Sequence, residues 1–244
     1  MIRRLALFLS LVAVLVCLAT TNSYASTILG TGTGSLVGGD LTDPEDDGTA
    51  GGANYNADFF ASDEPSFGAG EAAFNVFSNT LGGGDNKWCC GSNFPQIVGA
   101  MNFDGAGTQY VLDRFTLSSS NDSPQRDPQV WRIEGSNDTT DGFDGTWTTI
   151  FDHPAGGSDW TDRDQVISYS AADGDVFLTS DGFSAFRMVT DGTGATSGAF
   201  FALGEIEFFG QEFVAVPEPA SLAIWSLIGL GLCGFGWYRT RRKK

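Results

Sequence analysis

The sequence predicts an all-β fold, a sandwich of short antiparallel strands, and three observations favour it. Apolar residues recur at two-residue spacing, as in Phe115 with Leu117 and Trp131 with Ile133, which is the period of a strand that buries one face. Turn-forming pairs such as Asp141-Gly142 separate these runs. No run after Ala57 shows sustained helical periodicity. Short strands joined by frequent turns are typical of a β-sandwich.

Six extended runs carry this pattern. In the run that begins at Pro128, the proline ring fixes φ and disfavours helix at Asp127, so the chain enters the run extended. Trp131 and Ile133 then share one face, and the residues from Gly135 onward form a turn. The six predicted strands are QYVLDRFTLSS (109–119), PQVWRIEGS (128–136), TWTTIFD (146–152), QVISYS (165–170), GFSAFRMVTDG (182–192) and FFALGEIEFFG (200–210).

The segment at 26–56 is rich in Gly, Thr and Asp and weak in apolar residues. It predicts a short strand near Ser35–Val37, followed by an acidic loop at 40–48, DLTDPEDDG. That loop resembles the start of an EF-hand, but position 12 would be Asn54, where a bidentate glutamate is required. We therefore expect a solvated acidic loop here, before a sandwich domain at 57–212.

Residues 1–25 have the three parts of a secretory signal peptide. Arg3 and Arg4 precede an apolar run from Leu5 to Ala19, and Ser23-Tyr24-Ala25 is a cleavage signal of small residues. The sequence therefore predicts export, with cleavage after Ala25.

The segment at 213–244 combines a proline motif, an apolar run and a basic tail. The apolar run at 222–238 would span roughly 26 Å as a helix at about 1.5 Å per residue, which suffices for a bilayer. The tail at 239–244 is rich in Arg and Lys, so we expect it to stay in the cytoplasm.

The proline motif consists of Val216, Pro217, Glu218 and Pro219. Followed by the apolar run and the basic tail, it resembles the PEP-CTERM sorting signal of Gram-negative bacteria. The resemblance implies recognition by an exosortase-type membrane transpeptidase, anchoring through the helix before processing, and delivery to the cell surface or extracellular matrix.

The exported part is strongly acidic. Residues 26–216 hold 29 acidic residues and six basic ones, a net charge of −23. Such a charge favours solubility and attracts divalent cations, and it excludes nucleic acid and anionic lipid as partners.

The sandwich region contains a series of short motifs in a fixed order: Asn86-Lys87-Trp88, Ser120-Asn121-Asp122, Arg126-Asp127-Pro128, Trp131, Gly135-Ser136-Asn137-Asp138, Trp147 and Glu205-Ile206-Glu207. This order resembles the discoidin, or coagulation factor 5/8 type C, domains, which include many bacterial carbohydrate-binding modules. The resemblance implies a jelly-roll β-sandwich of the galactose-binding type, in which Trp131 fills the core and Arg126 with Asp127 braces a loop.

The same resemblance implies a structural calcium ion held by backbone carbonyls, a loop Asp and a Glu of the final strand, here Glu205. Ser78 stands where the family carries the loop Asp, which removes a charged ligand. Asn79 and Asp85 are the candidates to supply oxygen in its place, because calcium prefers hard oxygen ligands. The alternative is that Glu205 and Asp85 are solvated acids.

A carbohydrate site requires an exposed aromatic ring and convergent polar groups. Trp160 lies in the predicted loop GGSDWTDRD with Arg163, and His153 is close upstream, so these three residues are the predicted ligand-binding set. The alternative is that Trp160 folds back as a lid on the core.

Cys89 and Cys90 are the remaining cysteines of the exported region. After export to an oxidising compartment they can pair with each other, join another molecule or stay buried and reduced. Strand alternation opposes direct ring closure, but the Gly91-Ser92-Asn93 turn favours it. We predict an intramolecular disulfide.

No catalytic constellation is visible, since His153 is the single histidine and no nucleophile motif accompanies it. The sequence therefore predicts an exported, non-catalytic module that binds carbohydrate or extracellular polysaccharide. The alternative is a structural matrix protein without a specific glycan ligand.

Overall fold

A computed structural model describes residues 26–49, 52–64, 70–153, 157–194 and 200–214. The predicted signal peptide at 1–25, the motif at 216–219, the apolar run at 222–238 and the basic tail lie outside the described residues. Within the described ranges, no helix is long and apolar enough to span a membrane.

The described residues form eleven β-strands and four short 3-10 helices. The strands are β1 (Thr27–Thr31), β2 (Asp58–Ala61), β3 (Trp88–Cys89), β4 (Gln96–Met101), β5 (Tyr110–Ser118), β6 (Pro128–Ser136), β7 (Thr148–His153), β8 (Gln165–Ser170), β9 (Ala185–Thr193), β10 (Ala202–Leu203) and β11 (Glu205–Glu212). The 3-10 helices are Thr33–Ser35, Ala73–Phe77, Pro124–Arg126 and Ala171–Asp173. Each of the six predicted runs overlaps one of the strands β5 to β9, or β10 with β11.

Two antiparallel sheets form the sandwich. The four-stranded sheet has the order β1-β8-β5-β11, and the five-stranded sheet has the order β2-β4-β9-β6-β7. Most consecutive strands change sheet, since the chain crosses from β4 to β5 to β6 and again from β7 to β8 to β9. Such repeated crossings wind the chain as a jelly roll, so the predicted all-β jelly-roll sandwich is confirmed.

Aromatic side chains fill the space between the two sheets. Phe115 of β5 stacks on Tyr169 of β8 with ring centroids 4.9 Å apart and meets Phe151 of β7 edge-on at 5.1 Å. Trp131 of β6 stacks on Phe151 at 5.5 Å. All four rings are buried. Stacked and edge-to-face ring contacts add to the gain from apolar burial, so this cluster joins the sheets and confirms the predicted core position of Trp131.

The N-terminal segment belongs to the sandwich, and its strand lies earlier than predicted. A 3-10 helix occupies Thr33–Ser35, where the strand was expected to begin, and β1 pairs instead with the edge of β8. The prediction failed because pairing to a sheet edge uses backbone groups and does not require apolar alternation in the added strand. The sandwich therefore begins at Thr27, before residue 57.

The acidic loop at 40–48 is partly buried, which corrects the prediction that it is solvated. Asp40 and Asp43 are 3% and 0% exposed. Asp40 Oδ2 accepts a hydrogen bond from the Phe208 backbone N–H at 3.0 Å, and Asp43 Oδ2 accepts one from Gly48 N–H at 3.0 Å. Buried carboxylates persist where donors face them. The Asp40 bond ties the loop to β11, and the Asp43 bond closes the loop on itself.

Candidate functional site

Several loops meet at one end of the sandwich, beyond the last residue of β5 and the first residues of β6 and β8. Ser119 Oγ donates a hydrogen bond to the Asp162 carbonyl at 3.0 Å, which joins two of these loops. Backbone carbonyl Gly91 accepts from Phe201 N–H at 2.8 Å, which joins two more. The loop end is the set of residues 85–95, 119–127, 157–164 and 200–201.

The predicted ligand-binding residues His153 and Trp160 lie inside the protein. His153 is 4% exposed and Trp160 is 6% exposed. The His153 ring stacks on Trp131 at 4.7 Å with an interplanar angle of 3°. The prediction that Trp160 is an exposed platform is therefore wrong, because the ring closes over the apolar core instead, as a lid.

An Asp links this buried histidine to the loop end. Asp159 Oδ2 lies 2.9 Å from His153 Nε2 and accepts a hydrogen bond from the Tyr169 hydroxyl at 2.7 Å. Burial acts to raise the pKa of Asp159, but the hydrogen bonds from His153 and Tyr169 outweigh it and hold the pKa below its usual value. The network positions the loop that contains Asp159.

Arg163, the third predicted ligand residue, is fully engaged by the protein. Its two terminal nitrogens bind Asp127 at 2.7 Å each, and the Asp127 side chain is 0% exposed. Ser158 Oγ donates to the same carboxylate at 2.9 Å. A bidentate guanidinium pair is strong and directional, so Arg163 fixes the position of Asp127 and of the residue before it, Arg126.

Arg126 is held differently. Its Nη1 lies 3.5 Å from Cys89 Sγ and 3.4 Å from Cys90 Sγ, and its guanidinium carbon lies 5.6 Å from the centre of the Phe200 ring. The nearest ion-pair partner, Asp122, is 4.0 Å away. By contrast, Arg163 has a carboxylate at 2.7 Å. Arg126 therefore retains hydrogen-bonding capacity that a ligand can use.

Cys89 and Cys90 are joined by a disulfide at the end of β3. Together with Arg126 and Phe200 they form the Arg126 cluster. Phe200 is half-buried, whereas Phe201 is fully buried against Trp88. The doubled phenylalanine was the sequence signal for this arrangement, because one of two adjacent residues in an extended segment faces away from the core.

A buried lysine anchors this cluster. Lys87 Nζ contacts Glu71 at 3.2 Å, Asp122 at 3.1 Å and the Asn121 side-chain oxygen at 2.7 Å, and its side chain is 3% exposed. Removing charge from water is costly unless the charge is paired and hydrogen-bonded, and these three oxygens satisfy the ammonium. Lys87 thus fixes the 119–123 loop next to β3.

The predicted calcium ligands are only partly brought together. Asn79 backbone N–H donates to Glu205 Oε1 at 3.1 Å, and its side-chain amide donates to Asp43 Oδ2 at 2.7 Å. Asp85 is exposed and lies beside Gly70 instead. The prediction that Asp85 belongs to the calcium ligands is therefore corrected. The sequence missed Asp43 because thirty-five residues separate it from Asn79.

Glu205 is a fully buried carboxylate whose hydrogen bonding is incomplete among the described residues. Its Oε2 atom has no hydrogen-bond partner among the described residues, and the residue is 0% exposed. Burial raises the pKa of Glu205 well above its usual value, and the nearby charges of Glu207 and Asp40 raise it further. An unpaired buried carboxylate oxygen fits a bound cation.

Asp40 and Glu207 complete this carboxylate cluster on β11 and the N-terminal segment. Glu207 accepts hydrogen bonds from Gly38 N–H at 2.7 Å and from the Thr116 hydroxyl at 2.5 Å. Burial raises the pKa of Asp40 to about 7, although hydrogen bonds from Phe208 and Thr42 oppose the shift. Elsewhere in the described chain, three ligating side-chain atoms approach within 4.8 Å at Glu71, Cys89 and Cys90, where the sulfurs are already bonded to each other.

The fold and these contacts define an antiparallel β-sandwich with a polar and aromatic cluster on its loops. The family model described as the PEP-CTERM protein-sorting motif matches residues 215–243, so the predicted sorting motif is confirmed. No curated protein matches this chain.

Solved carbohydrate-binding modules resemble the chain at low identity. Chitosan-binding module 2 of a chitosanase/glucanase from Paenibacillus sp. IK-5, in complex with chitotriose, is 17% identical with a TM-score of 0.44, covering 64% of this chain and 97% of its own. The family 32 module of Streptococcus pneumoniae EndoD is 10% identical with a TM-score of 0.44, covering 64% and 98%. The family 32 module of Clostridium perfringens NanJ, in complex with galactose, is 12% identical with a TM-score of 0.41, covering 63% and 93%.

The raised pKa of Asp40 predicts that stability falls as pH rises. The folded state, with a pKa of about 7, binds this proton more tightly than the unfolded state, at 3.8, so unfolding becomes easier as pH rises from about 4 through 7. The full effect is up to about 4 kcal/mol. Asp40→Asn has no carboxyl group to protonate at this position, so its unfolding free energy lacks this pH dependence. The amount by which the variant is less stable than the wild type is therefore expected to shrink from pH 4.5 to pH 8.

Urea denaturation in chelator at pH 4.5, 6 and 8 measures this deficit. Asp173→Asn, at an exposed position, is the control and is expected to differ from the wild type equally at each pH. A constant difference between the wild type and Asp40→Asn would contradict the prediction.

Proposed function

We propose that this chain is an exported, non-catalytic module that binds extracellular carbohydrate through the Arg126 cluster. The observation that carries the proposal is the guanidinium of Arg126, which lies beside the half-buried Phe200 ring and has no carboxylate of the described residues closer than 4.0 Å. Sugar sites combine an aromatic ring with a few fixed polar groups, since the ring packs on C–H groups while donors bind the hydroxyls. Arg126 and Phe200 supply both kinds of group.

The proposed site replaces the predicted set of Trp160, His153 and Arg163, and gives those residues a supporting role. Arg163 holds Asp127, the neighbour of Arg126, through two hydrogen bonds of 2.7 Å. His153 holds Asp159 in the adjacent loop at 2.9 Å. Binding groups held by such buried partners lose little conformational freedom when the ligand binds.

We also propose that a structural calcium ion binds at Glu205. The unpartnered Oε2 atom and the oxygen of the Asn79 side chain would hold it, with Asp43 close by. The ion would neutralise the buried charge that Glu205 shares with Asp40 and Glu207. Its chemistry here is electrostatic, and it would fasten the N-terminal segment to β11.

The last element of the proposal is sorting by an exosortase-type transpeptidase. It is supported by the motif match at 215–243 and by the predicted signal peptide at 1–25. Export and membrane anchoring through 222–238, followed by transfer to the cell surface or matrix, would place the sandwich where polysaccharide is available.

The first test is binding to a glycan array by residues 26–214, with and without calcium. Arg126→Ala and Phe200→Ala are each expected to weaken binding of the best glycan at least tenfold, about 1.4 kcal/mol, because each removes one of the two recognition groups. Arg114→Ala and Phe209→Ala are matched controls, since that guanidinium lies 5.1 Å from that ring on the four-stranded sheet.

Undiminished binding by Arg126→Ala and Phe200→Ala would move the site away from the Arg126 cluster. Failure of the wild type to bind any glycan, with or without calcium, would favour the structural matrix protein.

The second test concerns calcium and stability. At a free concentration one hundred times Kd, calcium is expected to stabilise the wild type by about 2.7 kcal/mol. Glu205→Gln should lose this gain, and in chelator at pH 8 it should be more stable than the wild type, because it removes a buried charge. Glu212→Gln, at the exposed end of the same strand, is the control and should keep the gain. Identical wild-type melting curves in calcium and chelator would contradict the proposal.

The third test concerns sorting. Replacing Pro217 and Pro219 by Ala removes both prolines of the sorting motif, so unprocessed protein is expected to accumulate in the membrane fraction. Immunoblots of membrane and surface fractions measure the ratio of the two forms. Replacing Pro44 by Ala, far from the motif, is the control and should leave processing unchanged. Normal release of the double variant would argue against motif recognition.

A further inference from the structure

The Cys89–Cys90 disulfide lies where three loop segments meet. Cys89 pairs with Ala202 across the β3–β10 ribbon, and its backbone N–H donates to the Glu71 carbonyl at 3.3 Å. Cys89 is 0% exposed, whereas Cys90 is 7% exposed. Cys90 is the more exposed of the two residues, so an external reagent reaches it more readily than Cys89.

Arg126 can stabilise the thiolate that leaves when the disulfide is attacked. Thiol–disulfide exchange proceeds by thiolate attack on one sulfur, and its rate rises when the departing thiolate is stabilised. Arg126 Nη1 lies 3.5 Å from Cys89 Sγ and 3.4 Å from Cys90 Sγ, close enough to pair with a thiolate formed at either sulfur, so the greater exposure of Cys90 sets the direction of attack. The Glu71 carboxylate is also near the sulfurs, but Lys87 neutralises it at 3.2 Å.

We propose that this disulfide is a thiol-exchange site of defined polarity. An external thiolate attacks Cys90 Sγ, a bond forms between the external sulfur and Cys90, and the bond between Cys90 and Cys89 breaks. The electron pair leaves with Cys89 as a thiolate, which pairs with the Arg126 guanidinium. The external thiol is the reductant, a second thiol would complete the reduction, and attack by the Cys89 thiolate on Cys90 reverses the step.

Exchange at this site would change the Arg126 cluster, an inference that rests on the proposed carbohydrate site. A thiolate at Cys89 attracts the guanidinium more strongly than a neutral disulfide does, because the contact becomes an ion pair. The adduct on Cys90 also adds bulk beside Phe200. Glycan affinity is therefore expected to fall about tenfold after exchange with a small thiol.

The exchange is tested on the full exported chain, without any glycan. The folded protein is incubated with 2-mercaptoethanol, trapped with iodoacetamide and digested for peptide mass analysis. The expected product carries the mercaptoethanol adduct on Cys90 and the alkyl group on Cys89. Arg126→Ala is expected to slow trapping about tenfold, while Arg126→Lys, which keeps the charge, and Arg114→Ala remain near the wild-type rate.

Three outcomes would overturn the proposal: adducts on Cys89, equal adducts on both sulfurs, or reaction only after unfolding in urea. Urea denaturation midpoints show whether Arg126→Ala is folded, and the Arg126→Lys rate decides the role of charge if it is not. Glycan binding by the trapped adduct is measured separately. If the untreated protein binds no glycan, only the proposed carbohydrate site is overturned, and the thiol-exchange result still stands. Unchanged affinity of the adduct would overturn the coupling between exchange and binding.

Discussion

The stack of aromatic rings between the sheets is the interaction on which the other features depend. Phe115 and Tyr169 from one sheet meet Phe151 and Trp131 from the other, and Trp131 continues the stack to His153. Because β7 ends at His153, this last contact carries the packing from the core into the loop end. The loop geometry therefore inherits the rigidity of a close-packed interior.

The excess of acidic over basic residues is a second constraint on the fold. The exported region has 29 acidic residues and six basic ones, so each buried cation has a large structural effect. Arg163 binds Asp127 and Lys87 binds Glu71 with Asp122, and both pairs tie loops together. The buried carboxylates of the N-terminal segment and β11 accept hydrogen bonds from backbone N–H groups and from uncharged side chains such as Thr116 and Asn79. Glu205 keeps one oxygen without a donor from the described part of the chain, which is why this acidic cluster is the place where a cation would stabilise the fold.

The proposed binding surface follows from these two constraints. Arg163 and Lys87 are engaged in holding loops, whereas Arg126 faces two sulfurs and the Phe200 ring. A guanidinium beside a disulfide can serve recognition and thiol chemistry at the same place, since it donates to a sugar hydroxyl or pairs with a thiolate. Carbohydrate binding and thiol exchange would therefore compete for one side chain.

The sequence by itself determined the strands from β5 onward, their alternation and the sorting motif, because these depend on local patterns. Two-residue periodicity is a property of the backbone, so the run around Trp131 predicted both a strand and its buried face. The motif at 215–243 is likewise read along the chain. The edge strand β1 escaped prediction because its pairing uses backbone groups that every residue carries.

Only the tertiary structure decided which polar and aromatic side chains are available to a ligand. Trp160 and His153 have the residue types of a sugar site, but whether a loop ring faces water or the core depends on the volume left between the sheets, which no local pattern encodes. Arg126 and Arg163 are indistinguishable as residue types. Arg163 pairs with a carboxylate at 2.7 Å, whereas Arg126 has Asp122 at 4.0 Å, because the buried Asp127 binds Arg163, which lies 36 residues away in the sequence.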